Sequence, residues 1–404
     1  MSGSARVTAL EDPPHHRVRP AARSDVPAFI VMDVMAAAAR LEAAGRRIVH
    51  MEVGQPAAPA PKTAVAAAAA ALAQGSPLGY TVALGNLSLR QRIACHYAEQ
   101  YGADVDPGRI VVTTGSSAGF MLAFLTLFEP GDRVAIASPG YPPYRNVLSA
   151  LGCIPVPIEV GADTRFALTA EALIAAHRTA ALKGVLVASP ANPTGTMMTA
   201  EALARLARAA ADCGIAFISD EIYHGLDYAF AAETALKVSG DAVVINSFSK
   251  YFCMTGWRIG WMVVPEGLVR TIERLQQNFA ISVPALSQAA AEAAFAGRDE
   301  MEAVKRSYEV NRKVLTEGLP GAGIDHFLPA DGAFYLYADV SRLCDDSLDF
   351  ARRMLEQAGV AATPGVDFDP LHGRRFLRFC YAGAQTEVAE AVERITGWLG
   401  AGIP

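Results

Sequence analysis

The chain has 404 residues, 52% of them hydrophobic, and a formal net charge of -6. That length serves two or three domains with a large buried core. An acidic balance without a dense Lys/Arg run excludes an electrostatic footprint for nucleic acid or for an anionic membrane.

No apolar stretch reaches the roughly eighteen residues of a membrane helix. The opening "MSGSARVTALEDPPHHRVRP" has no apolar signal core, and residues 1–25 are expected to be a flexible arm. Cysteines 95, 153, 213, 253, 344 and 380 are scattered without metal-binding spacing, so they read as small packed hydrophobes in a reducing cytoplasm.

Residues 26–60 begin with a helix and run into "IVHMEVGQP"; they are expected to join a small domain completed far downstream. Residues 61–295 form the expected large domain. The alanine run 66–71 is an ordinary helix. From about residue 109, short β-branched runs alternate with helical stretches: "RIVVTTG", a helix over 117–128, "RVAIASPG", "KGVLVASP", a helix over 199–212, "IAFISDE", "DAVVINSFS" and "RIGWMVVP". Nearly continuous apolar strands joined by crossover helices predict an α/β fold. Its central sheet is mostly parallel, with helices on both faces. Past residue 296 the texture changes to a charged helix over 297–318, "GAFYLYADV", a helix over 347–358, "RFLRFCYA" and a last helix, which predicts a smaller α+β domain over 296–404.

In open α/β sheets, ligands bind at the carboxyl ends of the strands. Ser116, Tyr141, Asn192, Asp220 and Ser247 all lie just past such ends. "TTGSSAGF" turns at Gly115 into a helix, which offers free N–H groups and the hydroxyls of Ser116 and Ser117 to an anion. In "NSFSKYFCMTGWRIGW", Ser247, Ser249 and Arg258 add donors suited to a phosphate, and Lys250 stands among them. A lysine among cations or away from water has a lowered pKa and condenses with aldehydes. Asp220 in "FISDEIYHG" can hold a proton on a pyridine nitrogen, while Tyr223 and Asn192 can face a ring oxygen. Taken singly, each residue has an ordinary reading as a helix cap, a turn or a solvated charge. Together they call for an aldehyde, a phenolic oxygen, a pyridine nitrogen and a phosphate in one ligand, which is pyridoxal 5'-phosphate.

The chain resembles the fold-type I, class I/II aminotransferases, the group of the aspartate and aromatic enzymes, from about residue 25 to its end. The motifs stand in family order: "VGQP", "GYTVALGNLSLRQRIACHY", "TTGSSAGF", "SPGYPPY", "SPANPTGT", "SDEIYHGL", "SFSKYFCMTGWRIGW", "DGAFYLY" and "RFLRFCYA". The resemblance implies that Lys250 is the Schiff-base lysine and Asp220 the partner of the pyridine nitrogen. It implies that Asn192 and Tyr223 contact the ring hydroxyl, that Tyr141 stacks on the ring, and that Ser116, Ser117, Ser247, Ser249 and Arg258 bind the phosphate. Arg378 matches the arginine that clamps the substrate α-carboxylate, with Asn192 helping to orient the substrate, and Gly54 matches a small residue at the substrate entrance. Tyr80 matches a tyrosine that reaches the neighbouring subunit's phosphate, which implies a homodimer.

The implied activity is ping-pong transfer of an amino group from an L-amino acid to a 2-oxo acid. The same cofactor set also serves a C–S β-lyase and an enzyme like 1-aminocyclopropane-1-carboxylate synthase. A transcription regulator with an aminotransferase-like sensor domain would carry a winged helix ahead of the match, and residues 1–25 are not basic-helical. Ser117 stands where some members selective for acidic substrates have lysine, while Phe334 and Tyr335 point to neutral or aromatic substrates.

Overall fold

The computed structural model of the chain describes residues 19–75 and 77–402. Most of the arm expected over 1–25 therefore lies outside the described residues. No described helix is long and apolar enough to cross a membrane.

Seven strands make the large sheet: β1 Ile110–Thr113, β2 Arg133–Ser138, β3 Ile154–Glu159, β4 Gly184–Ala188, β5 Ala216–Asp220, β6 Val243–Ser247 and β7 Gly260–Val263. Their spatial order is β1-β7-β6-β5-β4-β2-β3. The pairs β2–β3, β2–β4, β4–β5 and β5–β6 are parallel, while β7 runs antiparallel between β1 and β6. Strands β1, β6 and β7 are buried at every position, as expected of a sheet covered on both faces.

β3 is the strand that the apolar runs did not reveal. Its sequence "IPVPIE" carries prolines at 155 and 157, which cannot donate to a ladder. β3 lies at the sheet edge, and the amides of Ile154 and Val160 donate inward to Asp132 and Ser138. In a pleated strand the even positions then face β2, so the two proline nitrogens point away from the sheet, where no hydrogen bond is lost.

A second sheet is antiparallel, in the order β10-β11-β9-β8, from β8 His326–Phe327, β9 Tyr335–Asp339, β10 Thr363–Pro364 and β11 Phe376–Cys380. The short strand Val49–His50 pairs in parallel with Val360–Ala361. Val49 and Met51 share a hydrophobic cluster with Leu336, Leu377 and Phe379 of this sheet. The large sheet has clusters of its own on its two faces, one containing Val112, Val185 and Trp261, the other Val111, Leu186 and Met262. The helix Arg298–Gly318 bridges the two bodies, with Met301 in a large-sheet cluster and Tyr308 and Leu315 in the small-sheet cluster.

Two helices matter for the site. Helix α1, Ile30–Ala43, lies against β10. Helix α2, Ser116–Leu127, follows β1 through Gly115, whose φ of 79° reverses the chain in two residues at little steric cost.

Candidate active site

A cleft of about 950 Å³, open water at its mouth included, lies over the carboxyl ends of β1, β4 and β5. Eleven of the residues expected to act together line it: Gly54, Ser116, Ser117, Tyr141, Asn192, Asp220, Tyr223, Ser249, Lys250, Arg258 and Arg378.

At one end sits the first turn of α2. Its N-cap is Gly115, so no side chain caps the amides of that turn. Arg258 closes this end. A Cβ on Gly115 would meet the Arg258 guanidinium at 2.4 Å, so the glycine is what lets the cation lie beside the helix terminus. Arg258 itself takes a left-handed backbone (φ 52°), and its Nη1 donates to the Thr255 carbonyl at 2.9 Å. Open amides, serine hydroxyls and an exposed guanidinium together form a receptor for a phosphate dianion.

Ser247 differs from expectation. It is buried and does not line the cleft. Its hydroxyl donates to the Ile259 carbonyl at 3.1 Å, accepts the Ser249 amide at 3.1 Å and lies 2.8 Å from Ser249 Oγ. It therefore shapes the turn that presents Ser249 and Lys250. Tyr80 is also outside this cleft, with 83% of its surface exposed.

Lys250 Nζ donates to the Gly54 carbonyl at 2.6 Å. Burial lowers its pKa from 10.5 to about 8, helped by Arg378 and Arg258 and opposed by Cys380 and Asp220. Residue 54 has no room for a side chain, because a Cβ there would fall 1.8 Å from Tyr335 Oη.

Asp220, at the last position of β5, is 3% exposed. The Ile222 amide donates to Oδ1 at 3.0 Å, and Tyr144 Oη donates to Oδ2. Burial raises its pKa to about 6, partly offset by those two hydrogen bonds and by Lys250. Tyr144 escaped the sequence reading, although "SPGYPPY" places it three residues after Tyr141 on the same helical face. The two rings meet edge-on at 5.2 Å.

Tyr223 Oη and Tyr335 Oη share a hydrogen bond of 2.7 Å, and burial pushes both phenols up in pKa. Asn192 Oδ1 accepts from Arg378 Nη1 at 2.9 Å, while no described residue accepts from its Nδ2.

Arg378, in the middle of β11, is 2% exposed. Nη2 donates to the Thr363 hydroxyl at 3.2 Å and to the Glu52 carbonyl. The rings of Tyr335 and Phe368 lie 4.4 and 4.6 Å from its guanidinium carbon. Its Nε is buried without a partner. Arg378 lines the cleft, and among the described residues no carboxylate forms an ion pair with it, so the site suits an anionic ligand.

Phe29, Val31, Met32 and Val53 form an apolar wall that the sequence reading missed as site residues. Phe29, Val31 and Met32 gave no signal beyond a helix assigned to the small domain, while Val53 opens the "VGQP" motif. Among the described residues that line the cleft, Lys250, Arg258 and Arg378 are the only cations.

The chain is similar to known proteins over most of its length. The sequence profile of the family described as aminotransferase class I and II matches residues 46–395. A valine–pyruvate aminotransferase of Mycobacterium tuberculosis is 50% identical over 94% of this chain and 98% of its own. The crystal structure of an aminotransferase from Mycobacterium tuberculosis, 50% identical, superposes with a TM-score of 0.92 over 95% of this chain and 100% of that one. Aspartate aminotransferase of Thermus thermophilus, solved with maleate, is 30% identical and superposes with a TM-score of 0.88 over 94% and 100%.

Proposed function

From the premise that this chain belongs to the class I and II aminotransferases and works with pyridoxal 5'-phosphate, we propose that its amino donor is a neutral aliphatic L-amino acid such as valine and its acceptor pyruvate. The observation that carries the donor class is the lining of the cleft. Beyond Arg378 the wall is Phe29, Val31, Met32 and Val53, and no described residue of this subunit adds a cation there to receive a second carboxylate. The name of the 50% identical relative supports valine and pyruvate in particular.

The residues present fit the cofactor. The uncapped first turn of α2, Ser116, Ser117, Ser249 and Arg258 would hold its phosphate, with Ser247 shaping the turn. Asp220 would hold its ring nitrogen, Tyr141 its face, and Asn192 with Tyr223 its ring oxygen. Bound there, the cofactor supplies an aldehyde that takes the amino group and a protonated ring that accepts electrons from the substrate Cα. Arg378, which lines the cleft, orients the donor through its α-carboxylate. The amine of Lys250, shifted toward its neutral form, removes and returns the Cα proton as general base and acid. Asp220 stays ionised beside the ring and steadies its positive charge.

Residues 61–295 form the cofactor-binding domain, and residues 26–60 with 296–404 form the smaller one. The active unit is a homodimer in the cytoplasm. Tyr80, Val82, Phe279 and Ile281 are exposed. Gln276 and Gln288 tie their two segments side by side through Ala83 and Thr81. An apolar surface of that kind suits a partner copy. The six cysteines are unpaired, as a reducing compartment keeps them.

The deciding test is a half-reaction screen. The loaded enzyme is mixed with each amino acid in turn while its absorbance is followed to the amino form of the cofactor. Valine and its aliphatic neighbours are expected to convert it fastest; aspartate or glutamate leading the series would sink the donor assignment. Arg378→Lys is expected to lower kcat/KM for valine by about 10- to 100-fold, mainly through KM, because a point charge replaces the forked donor.

Subunit sharing has its own check. Lys250→Ala and Tyr80→Ala subunits, each weak alone, are mixed and allowed to exchange. Half of the dimers become hybrids with one intact site, so activity should rise toward about a quarter of wild type. No recovery after proven exchange would remove Tyr80 from the neighbouring site.

A further inference from the structure

The apolar wall stands on α1, and α1 starts without a cap of its own: its N-cap, Phe29, has no side-chain acceptor. The missing acceptor comes from 337 residues away. Asp367 Oδ1 accepts the Ile30 amide at 3.2 Å, and Asp367 Oδ2 accepts the Val31 amide at 3.2 Å. Both carboxylate oxygens are thus used on the first turn of this helix, where the helix dipole favours a negative charge.

Asp367 is 1% exposed. Its neighbours join it to the carboxylate clamp. It closes the turn Gly365–Asp367 that follows β10, and Thr363 of β10 contacts the Arg378 guanidinium. Phe368, the next residue, packs on the same guanidinium. Arg145 Nη2 donates to the Asp367 carbonyl at 2.6 Å, which holds the turn from the large-sheet side. At the other end of this link, Phe29 meets Tyr141 edge-on at 5.9 Å, while Phe29, Val31 and Met32 face the cleft. A buried carboxylate is tolerated where hydrogen bonds answer it, so a displacement of α1 would leave Asp367 with fewer donors.

We propose that Asp367 is a positioning residue for donor selection, pinning the start of α1 so that Phe29, Val31 and Met32 stand at a set distance from the α-carboxylate site of Arg378. The proposal deepens the neutral-donor reading and rests on it for the sense of the preference. A donor with a branched side chain gains from the wall; a donor as small as alanine does not reach it. Asp367 touches neither reactant and acts through the helix.

The test compares two carboxylates that lack the amino group, 3-methylbutanoate and propanoate. Each is titrated into the holoenzyme while the cofactor absorbance is followed. Asp367→Ala is expected to weaken 3-methylbutanoate about 5- to 10-fold more than propanoate, and the valine-to-alanine ratio of kcat/KM should fall by a similar factor. Asp367→Asn, which keeps one acceptor oxygen, should fall between. Equal loss for both carboxylates, or none, overturns the proposal, because a general loosening of the fold does not discriminate between side chains. Should the Asp367 variants not fold, Phe29→Ala changes the wall without emptying a buried charge. It must lower the same ratio, and an unchanged ratio overturns the proposal. Wild-type enzyme that prefers dicarboxylic donors would refute the donor reading alone; the ratio in the variants still decides the role of Asp367.

Discussion

Lys250→Ala is expected to lower kcat for transamination by ~10⁴-fold or more, since in the proposed mechanism it removes both the attachment point for the aldehyde and the base that moves the Cα proton. The surroundings of the amine explain the size of the effect. Nζ is held by a neutral carbonyl, that of Gly54 at 2.6 Å, and not by a carboxylate. Burial, with Arg378 and Arg258 nearby, brings its pKa from 10.5 to about 8. A solvated lysine would be less than about 1% neutral at pH 8, whereas this one is about half neutral there. Lys250→Arg keeps a cation that cannot lose its proton, and the same loss is expected. An arginine variant with near-wild-type turnover would show that charge, and not proton transfer, is what residue 250 supplies.

The same shift makes a stability prediction of opposite sign. The folded pKa lies below the unfolded one, so the group's stabilising contribution is complete above about pH 10.5 and is lost as the pH falls through about 8. In cofactor-free protein at pH 7, Lys250→Met should therefore melt higher than wild type, by the equivalent of a few kcal/mol. The difference should close above pH ~10.5. Melting curves at pH 7 and pH 10.5 measure it, and a methionine variant less stable at pH 7 would contradict the burial argument.

Asp220→Asn should lower kcat by about 10²- to 10³-fold with little change of shape, because a protonated ring nitrogen then faces a neutral amide in a buried site. The carboxylate is placed for one partner. Tyr144 and the Ile222 amide engage both of its oxygens, yet burial still raises its pKa to about 6. The two hydrogen bonds and Lys250 offset that rise only in part, so the ionised form is disfavoured. A raised folded pKa means that the contribution is complete below about pH 3.8 and lost as the pH rises through about 6. Cofactor-free Asp220→Asn should thus be the more stable protein at pH 7.5, while the loaded variant should bind the cofactor more weakly than loaded wild type. Thermal shift with and without cofactor reads both. An asparagine variant that is less stable when empty and equally active when loaded would remove Asp220 from the ring nitrogen. Lys250 and Asp220 are each unfavourable in the bare protein, a familiar trade of stability against activity.

Much of this was open to reading along the chain. Residue types with one-of-a-kind chemistry stood at strand ends, and a strand end shows in the pattern itself: an apolar β-branched run stops, then Gly, Asn or Asp follows. Lys250, Asp220, Asn192 and the "GSS" turn were legible for that reason. β3 was not, because its prolines imitate a loop until its place at the sheet edge is known. Tyr144 was not either, because a tyrosine on an amphipathic helix looks like any core aromatic until its hydroxyl is seen on Asp220.

By itself, then, the order of residues determined the α/β layout, the family's cofactor and most of the residues that line the cleft, since these depend on local periodicity and on which side chains can do the work. Only the folded molecule decided that Ser247 supports the turn and leaves Ser249 to line the cleft, that Arg378 keeps an uncommitted Nε, and that the apolar wall of α1 hangs from Asp367. Those facts are contacts between segments tens to hundreds of residues apart. Packing and hydrogen-bond geometry set them, and no period or motif along the chain encodes which oxygen will meet which amide.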